Sequence, residues 1–256
     1  MKPKIIFFDI DGTLRDNVYH QVPDSTLKAL HLLKEKGYYL CISTGRGIDS
    51  LKRTGVMDLF PFDGYVCCGG QAVLDKEGNI LQHIMTDPKV VEKTLAVAKK
   101  HDIVVALKSK PRILSKEADK YTKEALAYFK SPIPEVGVYD GREVEGMIAY
   151  GPMNWDYEPF THIKEIRVMP GESTYCDLGI AGVNKYSGIS FLLERFNLSE
   201  YIAFGDSSND LDMFEHASLS IAMGQGNETL KKQASFVTKS IDEDGIYYAC
   251  KKLKLF

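Results

Sequence analysis

Short apolar runs closed by Gly, Asp or Thr recur along the chain, and helix-period segments separate them. Residues 5–8 are four consecutive apolar positions, the mark of a strand buried on both faces. Leu27, Leu30 and Leu33, with Ala29 and Leu32, predict a helix over 26–36, opened by Pro23-Asp24-Ser25 and ended by Gly37. Residues 38–43 read as a second strand and 64–68 as a third, and a hairpin follows over 73–74 and 80–81. Strand, helix, strand in this order is a βαβ unit, so the sheet is predicted to be parallel. The alternation returns near the C-terminus: a helix over 189–196, a strand closing on Gly205, strands over 219–222 and 234–238, and a helix over 246–253.

Between these halves the pattern changes. Residues 88–101 and 116–130 read as helices, and 103–108, 145–150, 164–169 and 174–179 as strands, with Ser131-Pro132-Ile133-Pro134 as a breaker. Residues 151–160 carry Pro152, Trp155, Tyr157 and Pro159 and read as a loop. A crossover between parallel strands needs only a dozen or so residues. The interval from Thr44 to Lys185 is many times longer, so a second domain is inserted there. The expected organisation is a discontinuous α/β core, 1–84 with 182–256, and an inserted α+β domain over 85–181.

Composition narrows the class. The 256 residues are 44% hydrophobic with a net charge of -3, which fits a globular protein and supplies no basic field for nucleic acid. Lys251, Lys252 and Lys254 read as a solvated last helix turn. No window approaches the roughly 20 apolar residues of a membrane span, and the N-terminal apolar run is too short for a secretory signal. Five cysteines, odd in number and irregularly spaced, predict neither a disulfide framework nor a zinc site. The expected setting is the cytoplasm, with no membrane and no obligate protein partner.

The chemistry gathers at the strand ends. Asp9 and Asp11 close the first strand, and positions i and i+2 of a strand share a side, so both carboxylates are expected to face one site. Two such charges at about 4 Å repel by roughly 4 kcal/mol at an effective dielectric near 20. A divalent cation on oxygen ligands, or a shared proton, removes that cost. At the second strand end, a hydroxyl from Ser43 or Thr44 and the Gly45 N–H, just before a helix, suit a phosphate oxygen. Lys185 opens a helix, where the dipole disfavours a cation. It reads equally as a solvated lysine or as an ammonium meeting phosphate or carboxylate. The segment Gly205-Asp206-Ser207-Ser208-Asn209-Asp210-Leu211-Asp212 is richer in acids than a bland strand-to-helix turn. In an open parallel sheet, ligands bind outside the carboxyl ends of the strands, where these groups lie.

Asp9-Ile10-Asp11-Gly12-Thr13-Leu14, Thr44-Gly45-Arg46, Lys185 before its helix, and Gly205-Asp206-x-x-Asn209-Asp210 together resemble the four motifs of the haloacid dehalogenase (HAD) superfamily. The long insertion, Met223-Gly224 and Asp242-Glu243-Asp244-Gly245 resemble its Cof-type branch, subclass IIB. The resemblance implies a Rossmann-like, doubly wound parallel sheet with a C2B-type cap. It implies Asp9 as nucleophile and Asp11 as general acid and base. Thr44 (preferred to Ser43 because it precedes Gly-Arg), Gly45, Lys185 and Asn209 would hold phosphate. Asp9, the Asp11 carbonyl and Asp206 would hold Mg2+, with Asp210 orienting metal-bound water or ligating the ion directly. Relatives carry Asn where Gly69 stands, and Gln71 is the nearest substitute. The implied activity is hydrolysis of a small phosphorylated metabolite, a sugar phosphate, through an aspartyl-phosphate. A phosphomutase and a non-catalytic metabolite-binding protein are the alternatives. Lys108, Arg112, Trp155 and Tyr157 are the candidate specificity residues of the cap.

Overall fold

The computed structural model describes residues 4–18, 20–129, 131–171 and 173–256. The first apolar run forms strand β1 (Ile5–Phe8), followed by helix α1 (Asp24–Glu35), β2 (Tyr39–Ser43), the short helices α2 (Ile48–Arg53) and α3 (Val56–Leu59), and β3 (Gly64–Cys67). A hairpin, β4 (Ala72–Asp75) and β5 (Ile80–His83), completes this part. The chain continues through α4 (Pro88–Lys100), β6 (Val104–Leu107), β7 (Ile113–Leu114), α5 (Lys120–Tyr128) and β8 (Glu135–Val136). Then come β9 (Met147–Tyr150), α6 (Glu158–Thr161), β10 (Ile166–Pro170) and β11 (Tyr175–Ile180). It closes with α7 (Lys185–Phe196), β12 (Ile202–Gly205), α8 (Leu211–Glu215), β13 (Leu219–Ala222), α9 (Glu228–Gln233), β14 (Phe236–Val237) and α10 (Gly245–Lys252).

Two units result: the chain up to His83 together with Val183–Phe256, and Ile84–Gly182. The first holds an eight-stranded sheet in the order β14-β13-β12-β1-β2-β3-β4-β5. Pairing is parallel from β14 to β3, and the β4–β5 hairpin adds an antiparallel edge. β1 lies between β12 and β2, with Ile6 opposite both Leu40 and Ile202. Its alternate residues serve different layers. Ile6 and Phe8 pack with Leu30 and Leu33 of α1 and Ala249 of α10. Ile5 and Phe7 pack with Ile189 and Leu192 of α7. Burial on both faces is what an uninterrupted apolar run requires. Strand order reverses across β1 and β12, so the crevice at their carboxyl ends is the switch point of this sheet.

The second unit is a six-stranded sheet in the order β10-β11-β9-β6-β7-β8, antiparallel except for β7 with β8. Val105, Leu107, Met147, Ala149 and Leu178 face Val91 of α4 and Phe160 of α6. The other face carries Val104, Ala106 and Tyr150 against Ala125 of α5. Helix α5 begins later than the sequence pattern indicates, because the Asp119 side chain caps it by accepting from the Thr122 N–H and hydroxyl. The expected end at Lys130 lies outside the described residues. Residues 151–160 contain the start of the one-turn helix α6. Tyr157 is buried in the core of this unit, with its ring 4.4 Å from Trp155. Burial removes Tyr157 from the surface, while Trp155 stays half-buried beside it. No disulfide forms among the cysteines of the described residues; four are buried and Cys68 partly so. No helix among the described residues is long and apolar enough to cross a membrane.

Candidate active site

Asp9 follows the last residue of β1, and its N–H donates to the Phe204 carbonyl at 3.0 Å, extending the β1–β12 ladder by one step. Asp206 stands at the matching place after β12. Between them Gly12 turns the chain at φ +85°, and a Cβ there would collide with the Asp206 carboxylate. Only glycine combines that conformation with that approach. Thr13 is buried and donates its hydroxyl to Asp206 Oδ1 at 3.0 Å. Gln225 fastens the same turn: Nε2 donates to the Gly12 carbonyl at 2.5 Å while Oε1 accepts from the Ile241 N–H at 3.1 Å. Sequence reasoning gave Gln225 no role. Its only signal was its place in Met223-Gly224-Gln225-Gly226.

Lys185 is the first residue of α7, behind an Asn184–Ser187 capping box. Its side chain is 2% exposed, and Nζ lies 2.6 Å from both Asp9 Oδ1 and Asp210 Oδ1. Of the two readings open in the sequence, the buried ammonium among carboxylates is the one observed. Asp210 is wholly buried, and its Oδ2 accepts from the Asp206 and Ser207 N–H groups at 3.0 and 3.1 Å. It thus ties Lys185 to the Asp206 loop. Carboxylate oxygens of Asp9, Asp206 and Asp210 lie within 4.8 Å of one another.

Three acids against one ammonium leave the cluster short of positive charge. Burial, reinforced by Asp210 and Asp11 and opposed by Lys185, pushes Asp9 up to about 7. Burial, with Asp9 and Asp210, pushes Asp206 up to about 8 against the Thr13 hydrogen bond and Lys185. For Lys185, burial works against the ammonium, but Asp210 and Asp9 outweigh it and hold its pKa above the ordinary lysine value. A divalent cation answers that deficit, and hard oxygen donors suit a hard ion. Asp9 and Asp206 each keep an oxygen uncommitted to hydrogen bonds among the described residues, whereas Asp210 spends both of its own.

The remaining predicted residues divide. Thr44 is buried just beyond β2, its N–H donating to the Val66 carbonyl at 2.9 Å and its hydroxyl accepting from the Arg46 N–H at 3.1 Å. Ser43 is buried one residue earlier, with Oγ unpartnered among the described residues. Gly45 and Asn209 are neighbours: a Cβ on Gly45 would stand 3.8 Å from Asn209 Nδ2. Asp11 departs from expectation, because its carboxylate is outside the acidic cluster. β1 ends at Phe8, so alternation no longer governs position 11. Arg46 takes the carboxylate instead, through Nε to Oδ2 at 2.5 Å and Nη2 to Oδ1 at 2.6 Å, with Arg15 at 3.5 Å.

Strand-end carboxylates, a buried lysine and a switch-point crevice on this sheet define a class of hydrolase, and comparison with known proteins agrees. Residues 6–250 match the model of the haloacid dehalogenase-like hydrolase family. YkrA of Bacillus subtilis (strain 168), provisionally named a phosphatase, is 29% identical over 100% of this chain and 99% of its own. The 5-amino-6-(5-phospho-D-ribitylamino)uracil phosphatase YcsE of the same organism is 23% identical over 95% of this chain and 92% of its own. Among solved structures, the HAD subclass IIB sugar phosphatase BT4131 superposes with a TM-score of 0.84 at 28% identity, covering 99% of this chain and 100% of that one. The chain belongs to the haloacid dehalogenase-like hydrolase family, with its Rossmann-like α/β core.

Proposed function

We propose that this chain is a cytoplasmic, Mg2+-dependent phosphomonoester hydrolase that acts on small phosphorylated metabolites, sugar phosphates foremost, through an aspartyl-phosphate on Asp9. The observation that carries the proposal is the buried Asp9 carboxylate, one oxygen on the Lys185 ammonium at 2.6 Å and the other uncommitted among the described residues. Held by one oxygen, the carboxylate presents the other as a nucleophile of fixed orientation. A phosphate dianion approaching it meets repulsion of order 8 kcal/mol at 4 Å and an effective dielectric near 20. Lys185 offsets part of that. Mg2+, when bound by Asp9, Asp206 and the Asp11 carbonyl, supplies the remaining positive charge.

In the first half-reaction Asp9 attacks phosphorus, the bond to the leaving alcohol breaks, and Asp11 gives that alcohol its proton. In the second, Asp11 takes a proton from water, the water attacks the acyl phosphate, and inorganic phosphate departs with Asp9 restored. Thr44, Gly45, Lys185 and Asn209 hold the phosphoryl oxygens through both steps. Residues 84–182 serve as the cap that selects the leaving group, and Lys108, paired with Asp177 at 2.6 Å, and the exposed Arg112 are its specificity residues. The sugar-phosphatase and ribitylaminouracil-phosphate relatives support a polyhydroxylated phosphate as the substrate class.

The test is phosphate release from a panel of phosphorylated metabolites, with Mg2+ or EDTA, by the wild type and Asp9→Asn. The expected result is metal-dependent release from sugar phosphates that Asp9→Asn abolishes. No release from any compound by folded, metal-loaded protein would overturn the reading.

A further inference from the structure

The Arg46 guanidinium has no place in the reaction as derived above, yet all three of its nitrogens are committed. Nε and Nη2 form a two-pronged contact with the two Asp11 oxygens, at 2.5 and 2.6 Å, and Nη1 donates to Thr54 Oγ1 at 2.9 Å. The backbone beneath it is fastened on both sides: the Arg46 N–H donates to Thr44 Oγ1 at 3.1 Å, and its carbonyl accepts from the Cys68 N–H at 2.8 Å. The Arg46 side chain is 15% exposed, the Asp11 side chain 38%. The arginine is therefore the fixed partner, and the aspartate, beyond the end of β1, is the one held.

We infer that Arg46 is a positioning residue for the second half-reaction: it fixes the Asp11 carboxylate in the orientation from which it takes the proton of the attacking water. The planar fork occupies one lone pair on each carboxylate oxygen; Arg15 also reaches Oδ1 at 3.5 Å, and the second pair of Oδ2 stays open, so the held carboxylate can still accept a proton there. Without the fork, the carboxylate keeps only the long Arg15 contact at 3.5 Å on one oxygen, and loss of alignment costs about a hundredfold in rate. The first half-reaction on an aryl phosphate is spared, because its leaving phenolate needs little protonation. The inference rests on the phosphatase reading.

The experiment is steady-state and acid-quench kinetics with p-nitrophenyl phosphate on the full chain with Mg2+. For Arg46→Ala the expected result is a fall in kcat of about a hundredfold, a parallel fall in KM, kcat/KM within a few-fold of wild type, a p-nitrophenol burst, and phosphoenzyme that persists after the quench. Guanidinium ion should speed the decay of that phosphoenzyme. Arg46→Lys should recover little, since one ammonium cannot span two oxygens. A raised KM with no burst would make Arg46 a substrate-binding group and overturn the inference. So would unchanged kinetics, or full recovery in Arg46→Lys. Should Arg46→Ala fail to fold, Thr54→Val removes the Nη1 anchor and loosens the arginine. It should show a smaller burst of the same kind, and its absence would equally overturn the inference. An inactive wild type would instead remove the phosphatase reading itself.

Discussion

Replacing Lys185 with Met isolates the electrostatics of the site from its chemistry. The side chains are similar in length, so packing along α7 is largely kept. What is lost is an ammonium 2.6 Å from two carboxylates, in a cluster where Lys185, Asp9 and Asp210 are 2%, 7% and 0% exposed. Removing one member of such a buried pair costs about 3–5 kcal/mol, because the partners keep their charge without compensation. The partners can escape by binding protons, and Asp9 and Asp206 are already pushed up to about 7 and about 8. Acids whose folded pKa exceeds the unfolded one stabilise the fold at low pH and lose that contribution as pH rises through the folded value. The penalty of Lys185→Met is therefore expected to be small near pH 5, where the carboxylates accept protons, and to reach about 3–5 kcal/mol near pH 8.5. Urea unfolding in EDTA at the two pH values, wild type against variant, reads it directly. A difference equal at both, or below about 1 kcal/mol near pH 8.5, would refute the claim that uncompensated buried charge dominates this cluster.

Four further outcomes follow, three of them from the geometry of this cluster and one from the core of the inserted unit. In EDTA the wild type should lose several kcal/mol of stability as pH rises from about 4 to about 8, since Asp9 and Asp206 bind protons more tightly folded than unfolded. Mg2+ should raise Tm far more near pH 8 than near pH 5, and Asp206→Asn should flatten both trends in thermal melts. Gly12→Ala should cost about 1–2 kcal/mol for its left-handed conformation, displace Asp206 and weaken Mg2+ binding by titration calorimetry; unchanged affinity would mean the turn yields. Tyr157→Ala should lose about 3–5 kcal/mol in unfolding while kcat/KM ratios across a substrate panel stay constant, because the ring is core and not lining.

What could be read from the chain was whatever short-range geometry decides. β1, β2 and β12 were legible because strands buried on both faces are written as unbroken apolar runs, and the groups at their ends come next in sequence. The insertion was read from the length between Thr44 and Lys185 together with the change of pattern after about residue 85. The two-residue strands β7 and β8 were not, because two positions carry no period. Tyr157 was misread because an aromatic in a Pro-rich stretch looks the same facing a ligand or facing Trp155. The site itself divides along the same line. Asp9 and Asp206 stand where strand ends put them. Asp11 and Asp210 are governed by partners 35 and 25 positions away, Arg46 and Lys185, and no local spacing encodes that pairing. The consequence reaches into the chemistry. The resemblance already separates Asp206 from Asp210, and the hydrogen bonds give the physical difference: Asp210 spends one oxygen on Lys185 and the other on two backbone N–H groups, while Asp206 keeps one uncommitted among the described residues. Counting acids does not show which of them also holds the lysine. The hydrogen bonds on each oxygen do.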